Sequence, residues 1–76
     1  MHERKELFPD RLRRLREQRH MSRKTMSELC GLNPDAVRRY ERGEQKPGMD
    51  ALIAMSDLLE VSIDYLVCNN SFRLHE

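Results

Sequence analysis

The sequence predicts an all-α domain built from five short helices. Apolar residues recur at the three- and four-residue spacing of a helix face, start and stop residues bound each such stretch, and no stretch has the alternation of a strand. With 76 residues the chain is long enough for one domain but not for two, because domains usually begin at about 50 residues. We therefore expect a single domain over 1–76, with a helical part at about 8–67 and a tail at 68–76.

The first two helices are predicted from their start and stop residues. Pro9 suits a first helical turn, after which Leu12 and Leu15 repeat on one face. Ser22 is a good N-cap for the second helix, and Gly31 can adopt the left-handed conformation that ends it. The predicted ranges are about 8–19 and 23–30. The residues expected to face inward from the second helix are Met26, Leu29 and Cys30.

The remaining three helices follow the same logic. Asn33 can cap the third helix, Pro34 suits its first turn, and Gly43 ends it. A polar loop containing Pro and Gly then leads to the fourth helix, and Ser62 can cap the fifth. The predicted ranges are about 34–42, 49–59 and 62–67. The inward stripe of the fourth helix is expected to be Leu52, Met55, Ser56 and Leu59.

The composition argues against several classes of protein. Cys30 and Cys68 are far apart and lack a C-x-x-C pattern, which disfavours a zinc site or a disulfide scaffold. The three histidines lie near the two ends and in a polar turn, without evident catalytic partners, so we expect no enzyme activity, metal or cofactor. The amino terminus lacks an apolar signal region and the longest apolar run is 51–55, so we expect a cytoplasmic protein without a membrane span.

The charges are unevenly distributed along the chain, although the net charge is only +1. Residues 11–46 carry eleven basic and five acidic groups, a net +6, whereas residues 47–76 carry one basic and five acidic groups, a net −4. A strongly basic middle predicts a surface that binds a polyanion. On charge alone, a merely solvated basic surface is an equal alternative.

The second and third helices are separated by only three residues, which predicts a helix-turn-helix over about 23–42. In this geometry the second of the two helices can lie in the major groove of DNA. At 100° per residue, Val37 and Tyr40 define the buried side of the third helix, and the opposite side is charged. Arginine can read guanine and aspartate can accept from cytosine. We therefore predict base contacts by Asp35, Arg38 and Arg39.

Two stretches, RLRRLREQRHMSRKTMSELCGL and VRRYERGEQKPGMDALIAMSDLLEVSIDYLV, resemble the XRE family, the helix-turn-helix domains of phage repressors and Cro. The resemblance covers about residues 8–67 and implies a five-helix DNA-binding domain that usually acts as a dimer on a pseudo-palindromic operator. It also implies a buried ion pair between Arg16 and Glu41. Three residues depart from the family pattern, where glutamine, a polar base reader and glycine are usual: Arg23, Pro34 and Glu60.

Phosphate contacts are expected mainly near the first turns of the second and third helices, because free N–H groups and the positive end of the helix dipole attract anions. Lys46, in the loop after the third helix, could equally be a solvated lysine. The residues predicted to bind phosphate are Arg23, Lys24, Asn33, Arg42 and Lys46.

The predicted function is sequence-specific binding of double-stranded DNA by a homodimer that regulates transcription, as a repressor or controller protein. The alternative is a protein-interaction module on the same fold, such as an antitoxin or a co-regulator. Its apolar contact could come from the carboxyl-terminal residues Tyr65, Phe72 and Leu74, although Tyr65 could equally pack in the core.

Overall fold

The computed structural model describes residues 6–67. The predicted all-α fold of five helices is confirmed, and this part of the chain contains no strand. The predicted tail at 68–76, with Phe72 and Leu74, lies outside the described residues. The helices are α1 (Phe8–Gln18), α2 (Arg23–Leu29), α3 (Ala36–Glu41), α4 (Met49–Leu59) and α5 (Ile63–Leu66).

One small core joins the helices. α3 packs against both α1 and α2, while α5 packs against α1 and α4. Val37 and Tyr40 are buried on the inner side of α3, as the sequence predicts. The inner side of α3 is therefore held by two other helices, and its outer side is left to solvent. The buried apolar residues are Leu12, Leu15, Met26, Ala36, Val37, Tyr40, Ala51, Met55, Leu59 and Leu66.

The predicted inner face of α2 is wrong at one position. Leu29 is 63% exposed, and Ser27 is fully buried instead. At 100° per residue, Met26, Ser27 and Cys30 lie within about 100° of arc, and Leu29 lies outside it. The position on the helix, rather than the apolar character of the side chain, decides which residue faces the core.

The predicted start of the third helix is also wrong, because α3 begins at Ala36 rather than at Pro34. The Asn33 side chain accepts a hydrogen bond from the Asp35 N–H at 2.8 Å, and the Ala36 N–H donates to the Asn33 carbonyl at 2.8 Å. These bonds close a local turn around Pro34 before the regular helix begins. Asn33 therefore caps the turn that leads into α3.

The ends of α1 and α4 share a feature, since each is followed by a non-glycine residue with positive φ. His20 has φ 56° and Glu60 has φ 60°. The left-handed conformation at Glu60 falls where the family usually has glycine, and the one at His20 was not predicted. Arg19 links the two ends, because its guanidinium donates to the Leu59 carbonyl and lies 3.6 Å from the Glu60 carboxylate.

None of the helices in residues 6–67 has the length and apolar character needed to cross a membrane.

Candidate nucleic-acid interface

The turn between α2 and α3 holds the two helices in a helix-turn-helix arrangement. Ser22 caps α2 by accepting a hydrogen bond from the Thr25 N–H at 3.0 Å. At the other end Gly31 takes a left-handed conformation, with φ 71°, and the Leu32 N–H donates to the Ser27 carbonyl at 2.9 Å. This bonding reverses the chain within a few residues and places α3 directly against α2.

The outward-facing charged residues at α3 are Asp35, Arg38, Arg39 and Arg42, and we call this surface the α3 face. Asp35 pairs with two of its arginines. Its carboxylate accepts from Arg38 Nε at 2.6 Å and Nη2 at 2.7 Å, and from Arg39 Nε at 3.0 Å. The Arg38 guanidinium, and after it that of Arg39, holds the pKa of the Asp35 carboxyl well below its usual range. The three predicted base-reading residues thus form one ionised, solvent-accessible cluster.

Arg42, predicted to bind phosphate, lies at the carboxyl end of α3. Its Nε is 3.0 Å from the Glu44 carboxylate, and both side chains are exposed. The pair is therefore open to solvent and can exchange its partners at low cost.

The other cations predicted to bind phosphate are not paired. Within residues 6–67, the only lysine and arginine side chains without an ion pair are Arg23, Lys24 and Lys46. Arg23 and Lys24 stand at the start of α2, and with Asn33 and Arg38 they line a shallow groove between the starts of α2 and α3. Unpaired cations thus lie beside the α3 face.

Arg16 and Glu41 form the ion pair that the family resemblance implies. Arg16 Nε donates to Glu41 Oε2 at 2.6 Å, and Arg16 Nη2 donates to Glu41 Oε1 at 3.2 Å. The side chains are only 10% and 3% exposed, and Arg16 Nη1 also donates to the Met21 carbonyl at 2.8 Å. This pair joins α1 to the inner edge of α3 and has no access to a ligand.

Among the described residues, no group of histidine, cysteine, aspartate and glutamate side chains could hold a metal ion. Cys30 is partly buried, and this burial raises the pKa of its thiol. A raised pKa disfavours the reactive thiolate. The described residues instead place exposed cations around a short helix.

Comparison with known proteins now adds an independent observation. Residues 12–66 match the model of a helix-turn-helix family. This match covers most of the chain and includes both helices of the motif. The chain belongs to the XRE family of helix-turn-helix proteins.

Several known transcriptional regulators, repressors and controller proteins resemble the chain. The uncharacterised HTH-type transcriptional regulator YqaE of Bacillus subtilis is 32% identical over 65 residues, which cover 86% of this chain and 56% of that protein. The structure of the P22 c2 repressor in complex with a synthetic operator has a TM-score of 0.77 at 29% identity, with 82% of this chain and 94% of that one covered. The controller protein C.AhdI of Aeromonas hydrophila has a TM-score of 0.73 at 29% identity, with 78% and 89% covered.

These likenesses concern the helix-turn-helix part. The chain spans about half the length of the curated relatives it matches. The two solved structures, in contrast, are covered almost completely.

Sequence reasoning missed one polar residue of this helix-turn-helix. Ser27 is fully buried, donates from Oγ to the Arg23 carbonyl at 2.8 Å and accepts from the Val37 N–H at 3.0 Å. It is the hydroxyl that connects α2 to α3. The sequence did contain a signal for its burial, because Ser27 lies one residue from Met26 and three from Cys30 on the helix.

Of the three residues suggested for an apolar contact in the alternative function, only Tyr65 lies within the described residues 6–67. Its ring is 42% exposed and is covered on one side by the Arg11 guanidinium, 4.3 Å from the ring centroid. The Tyr65 hydroxyl accepts from Arg14 at 3.1 Å, and Glu6 pairs with both arginines. Tyr65 therefore packs within a polar cluster at the α1–α5 contact rather than in the apolar core.

Proposed function

We propose that this XRE-family chain binds double-stranded DNA sequence-specifically and regulates transcription, with α3 in the major groove. The observation that carries the proposal is the α3 face, where three arginines and one aspartate are accessible to solvent on the second helix of a helix-turn-helix and at its two caps. An α-helix fits the major groove, and arginine can read the O6 and N7 atoms of guanine with two hydrogen bonds.

The cations divide into two groups with different roles. Arg23, Lys24 and Lys46 are unpaired and exposed, so they can approach phosphates without breaking an ion pair. We assign them, together with Asn33 and Arg42, to the DNA backbone. Backbone contacts fix the position and orientation of a protein on the duplex but carry no direct sequence information.

Arg38 and Arg39 are assigned to base edges, and Asp35 to selectivity. In the free protein Asp35 already holds both guanidinium groups at the outer side of α3. Holding them there reduces the number of conformations that each arginine must give up on binding. The same carboxylate repels phosphate, so the cluster favours base edges that offer a donor to Asp35, such as cytosine N4.

A single α3 contacts few base pairs, so we assign the active form to a homodimer on a pseudo-palindromic operator. Its half-sites should be centred about 34–36 Å apart, one turn of B-DNA. The P22 c2 repressor, solved with an operator, and C.AhdI, a restriction-modification controller, are similar to this chain over most of their solved lengths. A regulator of this type works in the cytoplasm, without catalysis or a cofactor.

The first experiment is selection of bound duplexes from a randomised DNA pool by the purified protein at near-physiological salt. Enrichment of an inverted repeat is the expected result, and it supplies the operator for later measurements. A folded protein that enriches no sequence contradicts sequence-specific binding and favours the interaction module.

Salt dependence then tests the phosphate contacts. When the logarithm of the binding constant is plotted against the logarithm of salt concentration, each neutralised phosphate contributes about −0.9 to the slope. Arg23→Ala should reduce the slope by about one and weaken binding to all sequences alike. Arg13→Ala is the matched control, because Arg13 is an exposed arginine of α1 that already pairs with Glu17 at 3.2 Å. An unchanged slope for Arg23→Ala contradicts its assignment.

A further inference from the structure

The buried hydroxyl of Ser27 connects the two helices of the motif through two hydrogen bonds. Ser27 Oγ donates to the Arg23 carbonyl, one turn earlier in α2, at 2.8 Å. It accepts from the Val37 N–H, in the first turn of α3, at 3.0 Å. The side chain has no exposure to solvent, so water cannot replace either partner. The backbone of one helix is thereby tied to the start of the other through a single atom.

The start of α3 depends on this contact. The first N–H groups of a helix have no partner within the helix and need a cap from elsewhere. Asp35, at the N-cap position, provides no side-chain cap, because its carboxylate is occupied by arginines. α3 also has only six residues, and helices this short are not stable alone. Its first turn is therefore fixed from outside, at Ala36 by the Asn33 carbonyl and at Val37 by the Ser27 hydroxyl of α2.

We propose that Ser27 is a positioning residue for base readout, and this inference rests on the proposed DNA-binding function. Ser27 holds Arg23, assigned to phosphate, at a fixed offset from the helix that carries Arg38 and Arg39. When the protein is seated on the backbone, this offset determines how far the arginines reach into the groove. Without the hydroxyl the phosphate contacts persist, but the base contacts lose their alignment.

Ser27→Ala tests the proposal through the ratio of two affinities. The expected result is a loss of about tenfold in affinity for the selected operator, of the size expected when a buried hydrogen-bonding partner is removed. Affinity for random DNA should change by less than about twofold, and the salt slope should stay the same, because the phosphate contacts are untouched. An equal loss on both DNAs overturns the proposal.

Ser56→Ala is the matched control. Ser56 is also a buried helical serine, but its hydroxyl donates to the Ile53 carbonyl within its own helix, α4, at 2.9 Å. Its replacement should leave the ratio of operator to random affinity unchanged. If Ser56→Ala lowers the ratio as much as Ser27→Ala, general loosening of the core explains the effect and the proposal is overturned.

Amide hydrogen exchange on the unmodified protein provides a test that does not depend on how a variant folds. The Val37 N–H should exchange slowly, as a buried bonded amide does, although no carbonyl of its own helix accepts from it. Fast exchange in the folded protein overturns the proposed bridge. Failure of the unmodified chain to bind DNA would refute the proposed function. If the Val37 N–H exchanged slowly in such a chain, the Ser27 bridge would be purely structural. The role of Ser27 in base readout would then be overturned as well.

Discussion

Two arginine–carboxylate pairs in this protein have nearly the same geometry but opposite surroundings. Arg16 Nε lies 2.6 Å from Glu41, and Arg38 Nε lies 2.6 Å from Asp35; both guanidinium groups contact both oxygens of their partner. The side chains of the first pair are 10% and 3% exposed, and those of the second are 36% and 38% exposed. Distance alone does not separate these two pairs.

The difference teaches that access to solvent decides what such a pair can do. A buried charge that loses its partner is stranded in a medium that solvates it poorly, so the pair acts as a fixed link. An exposed charge that loses its partner is solvated by water, so the pair contributes little to stability. Arg16 and Glu41 therefore hold α3 in place, while Asp35 and Arg38 stay accessible to a ligand.

The largest expected effect comes from breaking the buried pair. Arg16→Ala leaves the Glu41 carboxylate buried without its partner, and we expect the free energy of unfolding to fall by about 3–5 kcal/mol. For a domain of this size the melting temperature should fall by more than about 10 °C, measured by circular dichroism. An unchanged melting temperature would show that the pair is not structural.

Removing Arg39, the second arginine that Asp35 binds, should instead affect DNA binding. Arg39→Ala should weaken binding to the selected operator by about 1–3 kcal/mol and relax the preference at one base pair. Its melting temperature should change little, because Arg39 is exposed. Competition titrations with operator and random duplexes measure both effects. Equal losses on the two duplexes are incompatible with base reading by Arg39.

Removing the carboxylate of the exposed pair sharpens the comparison further. Asp35→Asn takes one negative charge from the α3 face and frees Arg38 and Arg39 for phosphates, so affinity for random DNA should rise severalfold. The preference for operator over random DNA should fall. Glu44→Gln is the control, since Glu44 pairs with Arg42 at 3.0 Å beyond the base-reading cluster. A preference that falls equally in both variants contradicts a special role for Asp35.

A still weaker pair gives the next smaller effect. Glu60 lies 3.6 Å from Arg19 and is largely exposed, so its ion pair contributes little. Its left-handed backbone is unfavourable for a residue with a Cβ, so Glu60→Gly should stabilise the protein by up to about 1 kcal/mol. His20 is also left-handed and has no ion pair among the described residues, so His20→Gly should stabilise the protein by at least as much. Thermal denaturation measures both, and a loss of stability in His20→Gly contradicts the argument.

The smallest effect concerns a carboxylate that holds two arginines, as Asp35 does. Arg14, and after it Arg11, lowers the pKa of Glu6 to about 2. A folded-state pKa below the unfolded value adds stability above pH about 4.5, and this contribution is lost as the pH falls toward about 2. The stability difference between wild type and Glu6→Gln should therefore be below about 1 kcal/mol at pH 7 and shrink over that range. A difference that stays constant down to pH 2 contradicts this.

The sequence predicts the helix ends well because the signals are local. Ser22 and Ser62 cap α2 and α5 by accepting N–H groups three residues on, and Gly31 and Gly43 take positive φ where helices stop. Such signals depend on the conformation of one residue and its nearest neighbours, which residue type largely determines.

The error at the start of α3 is local, since Asn33 closes a turn there, but the error at α2 occurs where tertiary contacts decide. A leucine is expected inside and a serine outside, but α3 packs over the side of α2 that carries Ser27, and Leu29 is left in solvent. The pairing of Asp35 with Arg38 and Arg39 could have been found from the sequence, since these residues lie three and four positions apart on one helical surface. Which arginine meets which base is a property of the complex and cannot be predicted from one chain.

The length of α3 limits how much sequence information one chain can read. Six residues at about 1.5 Å each span roughly 9 Å, or about three base pairs of DNA at about 3.4 Å per step. A site of three specified base pairs occurs by chance about once in 64 positions, against the roughly million or more competing sites in a genome. An assembly of chains with such short recognition helices must therefore increase the number of base pairs that it reads, rather than the strength of each contact.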